Sequence, residues 1–214
     1  MSKRTLAIYY ASENFIGDLK QEILLKKLKI VQEFPNFFLV EATHAPSLVW
    51  EQDMGDEAQI IEFESITAAA KKLKEFPCQW SHWPYQNVRR GELILGKVPK
   101  GQIKTWNFPD NLPKRQYGTF SLLSEKSMLI TPKTLHPLPM GLVKFHENKE
   151  IPPSRAYLKL WEFFLINQIY PKKNSKTLDM GSCPGGWTWV LHQLGTKVFS
   201  IDRSPLDPKI AQLP

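Results

Sequence analysis

Residues 177–188 read T-L-D-M-G-S-C-P-G-G-W-T, and this stretch decides the fold. The apolar residues before Gly181 predict a strand, the glycines predict a sharp turn, and the residues that follow predict a helix. A second apolar run, Lys197–Ile201, predicts another strand that ends at Asp202. Doubly wound α/β folds place an acid about 20 residues after such a turn, where its carboxylate accepts from ribose hydroxyls. The stretch therefore predicts the start of a domain that binds a nucleotide-like cofactor.

The glycine turn narrows the choice of cofactor. A dinucleotide fingerprint needs glycine where Cys183 stands, and Pro184 has no N–H to donate to a pyrophosphate. The Gly-Lys-Ser/Thr of a phosphate-binding loop does not follow either. S-adenosylmethionine has no phosphate and carries a sulfonium cation, so we expect Asp179 to favour its charged end and Asp202 to accept from its ribose. The alternative is an ordinary strand–turn–helix connection.

The same turn resembles the first motif of the FtsJ-like S-adenosylmethionine-dependent RNA ribose 2′-O-methyltransferases, whose usual form is D-L-G-x-x-P-G-G-[WF]. A second segment, residues 152–162 with the sequence P-P-S-R-A-Y-L-K-L-W-E, is similar to the S-R-A-x-x-K-L helix of that family. The sequence of this segment looks most like that of the RlmM-like branch, which methylates large-subunit ribosomal RNA and carries an extra N-terminal RNA-binding region. Two motifs in the right order are more specific than either alone.

This resemblance implies a Rossmann-like methyltransferase domain, S-adenosylmethionine as cofactor and ribosomal RNA as partner. The cofactor-binding residues that it implies are Asp179, Gly181, Ser182, Pro184, Gly185, Gly186, Trp187 and Asp202. It also implies four catalytic residues in the order Lys, Asp, Lys, Glu, of which only Lys159 can be placed in this chain. We expect Lys159 to orient the 2′-hydroxyl. Without the motif, Lys159 would be a solvated helix lysine that pairs with Glu162.

The helix that carries Lys159 is predicted from the residues themselves. Pro152 and Pro153 cannot continue a helix, and Ser154 is a good N-cap. The residues that recur at helical spacing are Tyr157, Leu160, Trp161, Phe164, Leu165 and Gln168. We expect this apolar stripe to pack on the sheet, with Lys159 lying off it. We also expect Trp187 to pack rather than to stack on a base.

The domain started by these motifs is expected to be incomplete here. A complete domain of this type needs roughly 150–200 residues, but the chain ends 12 residues after Asp202. We therefore expect residues 149–214 to be the N-terminal part of a methyltransferase domain, and this chain alone to be inactive. A half-built sheet exposes an edge that could pair with another copy of the chain. The charged and then proline-rich stretch 144–153 predicts the domain boundary.

Residues 1–148 predict an α+β region. Strands are predicted at Leu6–Tyr10, Phe37–Val40 and Ile60–Phe63, and helices at Phe15–Leu28 and Ile66–Lys74, the second capped by Ser65. This order is compatible with a ferredoxin-like arrangement. Beyond Cys78 prolines punctuate short strand candidates, among them Glu92–Leu95 and Met128–Ile130.

The net charge of +7 is accounted for by residues 71–115, which contain ten Lys and Arg residues and three Asp and Glu residues. Aromatic residues are interleaved with them: Trp80, Trp83, Tyr85, Trp106, Phe108 and Tyr117. Cations that neutralise phosphates, together with rings that stack on unpaired bases, are typical of RNA-binding proteins. We predict RNA-binding residues at Arg89, Arg90, Lys97 and Lys100. The alternative is a solvated basic face over an aromatic core.

Composition indicates the cellular compartment, and two candidate functions stay open. Two cysteines give no disulfide framework, and the start of the chain does not read as a signal peptide, so we expect a cytoplasmic protein without a membrane span. Cys78 and His82 have no second ligand pair nearby, so no metal is predicted. The first function is an RNA ribose methyltransferase; the alternative is a catalytically inactive RNA-binding protein that keeps the N-terminal region.

Overall fold

The computed structural model describes residues 5–42, 45–112 and 114–213. Its strands are, in chain order, β1 (Thr5–Tyr10), β2 (Lys29–Phe34), β3 (Phe37–Ala42), β4 (Asp53–Asp56), β5 (Gln59–Glu62), β6 (Gln79–His82), β7 (Thr105–Trp106), β8 (Tyr117–Leu122), β9 (Ser127–Thr131), β10 (Lys133–Thr134), β11 (Lys144–Phe145), β12 (Lys176–Met180) and β13 (Lys197–Ile201). Its helices are α1 (Ile16–Leu25), α2 (Ile66–Leu73), α3 (Val88–Leu95), α4 (Tyr157–Asn167), α5 (Gly186–Gln193) and α6 (Pro208–Ala211), with a 3₁₀ turn at Pro139–Gly141. None of these helices is long and apolar enough to span a bilayer.

The chain divides into two compact units, and the division differs from the predicted boundary at 148/149. Unit 1 consists of residues 1–103 and 113–142, and unit 2 of residues 104–112 and 143–214. The segment 104–112 belongs to unit 2 because β7 pairs in parallel with β11 and Phe108 stacks on Trp161, with ring centroids 4.9 Å apart. A two-residue strand is too short to show a periodic sequence pattern. The sequence therefore did not indicate that residues 104–112 belong to unit 2.

The first sheet of unit 1 is antiparallel, with the strand order β10-β4-β1-β3-β2. Helix α1 connects β1 to β2, and its buried Leu19 and Ile23 pack on Tyr9 and Phe38. A ferredoxin-like fold would place a second helix between β3 and β4, but residues 45–52 form no helix. The predicted ferredoxin-like arrangement therefore differs from the observed one at its second helix.

The second sheet of unit 1 has the order β5-β9-β8-β6, and helices α2 and α3 pack on it. Trp80 lies fully buried in this core, where its indole Nε1 donates to the Leu73 carbonyl oxygen at 3.0 Å. The predicted cap of α2 is confirmed, because Ser65 Oγ accepts from the Ala68 N–H at 3.1 Å. The capping residue and the apolar face both indicate the same helix, which is why the sequence predicted α2 well.

The predicted strand at Glu92–Leu95 is wrong, because these residues form the second half of α3. A run of four residues is too short for its period to distinguish strand from helix. The N-cap residue of the helix is Asn87, which has the left-handed conformation (φ 48°) and makes no side-chain capping hydrogen bond. Its buried face includes Gly91, which lies so close to the His82 ring that no side chain fits between them.

Unit 2 contains the parallel pair β12 and β13, in which Met180 lies opposite Ile201. Helix α5 connects the two strands, and α4 packs on α5 through a buried aromatic cluster that includes Trp161 and Trp189. The residues of the predicted α4 stripe that are buried are Tyr157, Leu160, Trp161, Phe164 and Leu165. Its contacts are mainly with α5, so the expectation that α4 packs on the sheet is corrected.

One face of the β12–β13 pair is apolar and exposed. Leu178 lies opposite Phe199, and Met180 opposite Ile201. These four side chains are each more than half exposed, from 55% for Leu178 and Phe199 to 75% for Met180. The face contrasts with the buried core of α4 and α5, so the sheet is covered unequally.

Candidate functional site

The glycine turn and Asp202 lie side by side, as predicted. β12 and β13 are neighbouring parallel strands in register, so the residues that follow them lie at one edge of the sheet. Asp202 Oδ2 accepts from the Cys183 N–H at 2.8 Å, and Oδ1 accepts from the Ser204 N–H at 2.9 Å. These backbone hydrogen bonds, from Ser204 first and Cys183 next, lower the pKa of the exposed Asp202 carboxyl. The group is ionised at neutral pH, and a carboxylate with two such bonds still has free acceptor sites.

The three glycines of the turn have different structural reasons. Gly181 has a φ of +77° with no atom near the position of a side chain, so only its backbone conformation requires glycine. At Gly185 an added Cβ would lie 2.9 Å from Ile210, and at Gly186 it would lie 3.3 Å from the Tyr157 nitrogen. The side-chain directions of Gly185 and Gly186 are thus filled by the chain itself, so packing within unit 2 requires glycine at both positions. The open space lies at Gly181.

The two sequence motifs contact each other at the beginning of α4. Trp187 is 44% exposed, and its indole Nε1 donates to the Ala156 carbonyl oxygen at 3.0 Å. Ser154 lies three residues before the first helical residue and does not cap α4 directly; its Oγ accepts from the Ala156 N–H at 3.4 Å. The Trp187 hydrogen bond joins the glycine turn to the helix that carries Lys159.

The other two turn residues have separate environments. Ser182 is buried, whereas Pro184 is exposed and accepts from the Asp207 N–H at 3.0 Å through its carbonyl oxygen. Asp207 caps α6, and Ile210 of that helix covers Gly185. No sequence pattern predicted α6, which spans only four residues.

The carboxylate of Asp179 is buried beneath the turn. Its Oδ2 accepts from the Thr188 hydroxyl at 2.7 Å, and Thr188 Oγ1 lies 2.8 Å from Ser200 Oγ. This chain of hydrogen bonds joins β12, α5 and β13 beneath the turn. Thr188 and Ser200 are therefore structural residues of the site that were not singled out from the sequence, although Thr188 closes the quoted motif.

Lys159 lies in the first turn of α4 and is exposed, off the buried stripe as predicted. Among the described residues it forms no ion pair with Glu162. Burial raises the pKa of the Glu162 carboxyl, although the side chain is partly exposed. The ammonium group of Lys159 is thus accessible to a substrate.

The predicted RNA-binding residues lie together in unit 1. Arg89 and Arg90 belong to α3, while Lys97 and Lys100 follow it. Arg89, Lys97 and Lys100 are exposed, and Arg90 is half-buried with its guanidinium 5.8 Å from the centroid of the Phe63 ring. None of the four forms an ion pair with another described residue.

The aromatic residues of the basic window belong mostly to the core. Trp80, Trp83, Trp106 and Tyr117 are all at most 7% exposed. Because these four rings are inaccessible to RNA bases, they agree with the alternative interpretation, an aromatic core under a basic face. The four predicted cations remain candidates for phosphate contacts.

The described residues contain no group of three or more His, Cys, Asp or Glu side chains that could hold a metal ion. Cys78 lies in the core of unit 1, where burial raises the pKa of its thiol to about 12. His82 stacks on Phe120 and its Nδ1 lies 2.8 Å from Glu92 Oε1. Both side chains therefore have structural roles.

Comparison with known proteins assigns these motifs to one family. Residues 152–212 match the FtsJ-like methyltransferase family. The "Ribosomal RNA large subunit methyltransferase M" of Laribacter hongkongensis is 36% identical over 155 residues, which are 66% of this chain and 43% of that protein. The protein of the same name from Shewanella baltica is 38% identical over 155 residues, 68% of this chain and 39% of its own.

The chain spans about two fifths of the length of these relatives. Among solved structures, a possible methylase from Clostridium difficile 630 aligns with 90% of this chain and 56% of its own, at 10% identity and a TM-score of 0.41. The matched residues 152–212 contain both the Lys159 helix and the glycine turn with Asp202. Residues 152–212 of this chain therefore match the FtsJ-like methyltransferase family, and the chain is similar to the ribosomal RNA large subunit methyltransferase M proteins.

Proposed function

We propose that this chain is part of an S-adenosylmethionine-dependent RNA ribose 2′-O-methyltransferase that acts on large-subunit ribosomal RNA in the cytoplasm. One observation carries the proposal: the glycine turn and the Lys159 helix, which lie apart in the sequence, contact each other through Gly186, Trp187 and Ala156. The cofactor turn and the helix that carries a cationic side chain are thereby held against each other. Such positioning is what methyl transfer between two bound substrates requires.

The turn fits S-adenosylmethionine, which supplies an activated methyl group when bound. The ionised carboxylate of Asp202 can accept from ribose hydroxyls, because each of its oxygens uses one acceptor site on the loop. Gly181 offers open space at the end of β12. The remaining proposed contacts come from Ser182, Pro184, Gly185, Gly186 and Trp187, while Asp179 holds the turn from below through Thr188.

Lys159 is proposed to act on the 2′-hydroxyl of the target ribose. Its ammonium group can orient the hydroxyl and stabilise the negative charge that develops on the oxygen as the proton leaves. The family's other catalytic residues, Asp, Lys and Glu, have no assigned position in this chain. Lys159 is therefore a supporting catalytic residue, and the base is expected from another part of the complete domain.

RNA is proposed to meet the phosphate-binding cations of unit 1, Arg89, Arg90, Lys97 and Lys100. Such contacts give affinity without sequence preference, so they would hold the RNA while the methyltransferase residues select the ribose. Because Trp80, Trp83, Trp106 and Tyr117 are buried, the proposal includes no stacking of RNA bases on their rings.

The test is a chimera in which residues 1–214 replace the aligned part of the Laribacter hongkongensis relative. We expect it to transfer tritium from labelled S-adenosylmethionine to large-subunit ribosomal RNA, and the 214-residue chain alone to show no transfer. Lys159→Ala in the chimera should lower turnover at least about 100-fold, with S-adenosylmethionine binding retained as a control for folding. Full turnover by Lys159→Ala would contradict the role of this lysine. A folded chimera that binds RNA but shows no turnover would favour the inactive RNA-binding alternative.

A further inference from the structure

A second recess lies beside the Lys159 helix, within unit 2. This cavity of about 470 Å³ is bounded by the β11 segment and by the beginning of α4. The residues of its wall that matter here are Lys144, Phe145, Glu147, Arg155, Leu158 and Glu162. Its volume lies within the range of about 300–1,000 Å³ that is typical of sites for small organic groups.

The cavity lies next to Lys159 by helix geometry. Leu158 and Glu162 are one turn apart on α4, so they lie one above the other on the same face. Lys159 follows Leu158 and precedes Glu162 by three positions, which places it at the border of that face. A group bound in the cavity would therefore lie close to whatever Lys159 contacts.

The polar groups of the cavity balance in charge. Arg155 Nη2 lies 2.7 Å from Glu147 Oε1, and the Arg155 side chain is 77% exposed, so part of its guanidinium is free to donate. Lys144 and Glu162 add one charge of each sign. Two cations and two carboxylates give a neutral site, which disfavours a phosphate group because the carboxylates would repel it.

The apolar wall suits a flat neutral ligand. Phe145 packs edge-on against Trp161, with ring centroids 5.4 Å apart, and this contact fixes its ring. Leu158 is half-buried on the facing helix. Unpaired bases are recognised by packing on such side chains and by hydrogen bonds to their edges.

We propose that this cavity binds an unpaired nucleobase of the substrate RNA, next to the nucleotide that Lys159 contacts; this inference rests on the proposed function. Glu162 accepts from an exocyclic amine, and the guanidinium of Arg155 donates to a carbonyl oxygen. Cytosine and guanine carry both groups. Uracil has no exocyclic amine and adenine has no carbonyl, so the cavity discriminates against both.

The experiment is a titration of the 214-residue chain with free cytidine, guanosine and uridine, followed by amide ¹H–¹⁵N chemical shifts. Free nucleosides have no phosphate, so the basic surface of unit 1 does not contribute. We expect cytidine or guanosine to shift the amides of residues 143–147 and 155–162, with uridine binding about tenfold more weakly. Glu162→Ala, which deletes the acceptor, should remove this preference. Glu64→Ala, a change of the same kind in an exposed side chain of unit 1, should not.

Absence of shifts at these amides with all three nucleosides would overturn the inference. An unchanged preference in Glu162→Ala would do the same, because this variant has no side-chain acceptor and the amide spectrum itself reports folding. The outcomes are separable from those of the tritium assay. Nucleoside binding without turnover in the chimera would remove only the proposed function, whereas turnover without nucleoside binding would remove only this cavity.

Discussion

The indole Nε1 of Trp187 donates a hydrogen bond to the carbonyl oxygen of Ala156, at 3.0 Å. This bond joins the residue after the glycines to the residue that precedes α4. Trp187→Phe keeps most of the ring but removes the donor, so we expect the free energy of unfolding to fall by about 1 kcal/mol. Trp50→Phe is the matched control, since Trp50 is similarly exposed (42%) and stacks on Phe15. Equal losses in urea titrations of the two variants would show that the bond contributes nothing.

The carboxylate of Asp202 is predicted to be required for cofactor binding. Replacing it with Asn in the chimera removes the charge and one acceptor at nearly constant volume. We expect at least about tenfold weaker binding of S-adenosylmethionine, because hydrogen bonds to a charged group are worth about 1.5–3 kcal/mol. Calorimetric titration measures this directly. Unchanged affinity would remove Asp202 from the site.

Thr188 is predicted to stabilise the turn through the buried Asp179. Thr188→Val deletes the hydroxyl that donates to the carboxylate and leaves Asp179 Oδ2 without this partner. The expected loss in the free energy of unfolding is about 2 kcal/mol. Thr188→Ser retains the hydroxyl and should recover most of that loss. A Thr188→Val variant as stable as the unsubstituted chain would show that the hydroxyl contributes nothing.

Glu51 is predicted to make unit 1 less stable as the pH rises. Burial raises the pKa of its carboxyl to about 7, despite the hydrogen bond that Ser47 Oγ donates. An unfolded glutamate has a pKa of about 4.3. Between these values the folded chain holds a proton that the unfolded chain has released, so the free energy of unfolding falls as pH rises. The stabilising contribution is complete below the unfolded pKa and lost above about pH 7.

Glu51→Gln cannot ionise and should therefore be more stable than the unsubstituted chain at pH 8. The two should be close at pH 4.5, where Glu51 is protonated in the folded chain. Urea unfolding at four pH values between these limits measures the difference, and Glu64→Gln controls for an exposed carboxylate. A constant difference across the range would contradict the raised pKa.

Arg89 and Arg90 are predicted to differ in their contribution to RNA binding. A side chain that contacts a phosphate raises the slope of log K against log salt by up to about 0.9. Arg89 is exposed, but the guanidinium of Arg90 lies over the Phe63 ring, so Arg89→Ala should reduce the slope more. Lys26→Ala is the control outside the basic window. A slope unchanged in Arg89→Ala would show that this side chain does not meet RNA.

The sequence was most informative where its signals are local. The glycine turn, the two strands that flank α5 and the α4 stripe each depend on adjacent residues or on one helical period, and the structure contains them. Ser65 likewise predicted its own helix start. Positive φ at Gly181 follows from the same local pattern.

The sequence was least informative where the role of a side chain depends on contacts with residues that are distant in the chain. Whether Asp179 faces the cofactor or α5 is decided by the pairing of Thr188 with Ser200, which joins three elements. Whether Trp80 and Tyr117 stack on bases or fill a core is decided by strand register between β6 and β8. Such tertiary constraints override composition, which is why the basic window looked like an aromatic RNA surface.

The parallel contact between β7 and β11 determines how this polypeptide can be dissected. A gene fragment that begins at residue 149 loses both strands, together with Phe108, whose ring lies within 9° of parallel to that of Trp161. The aromatic cluster beneath α4 would then be open to water on one side. A soluble fragment of unit 2 needs residues 104–112 supplied with it, by fusing them through a short linker to residue 143 or by adding them as a peptide.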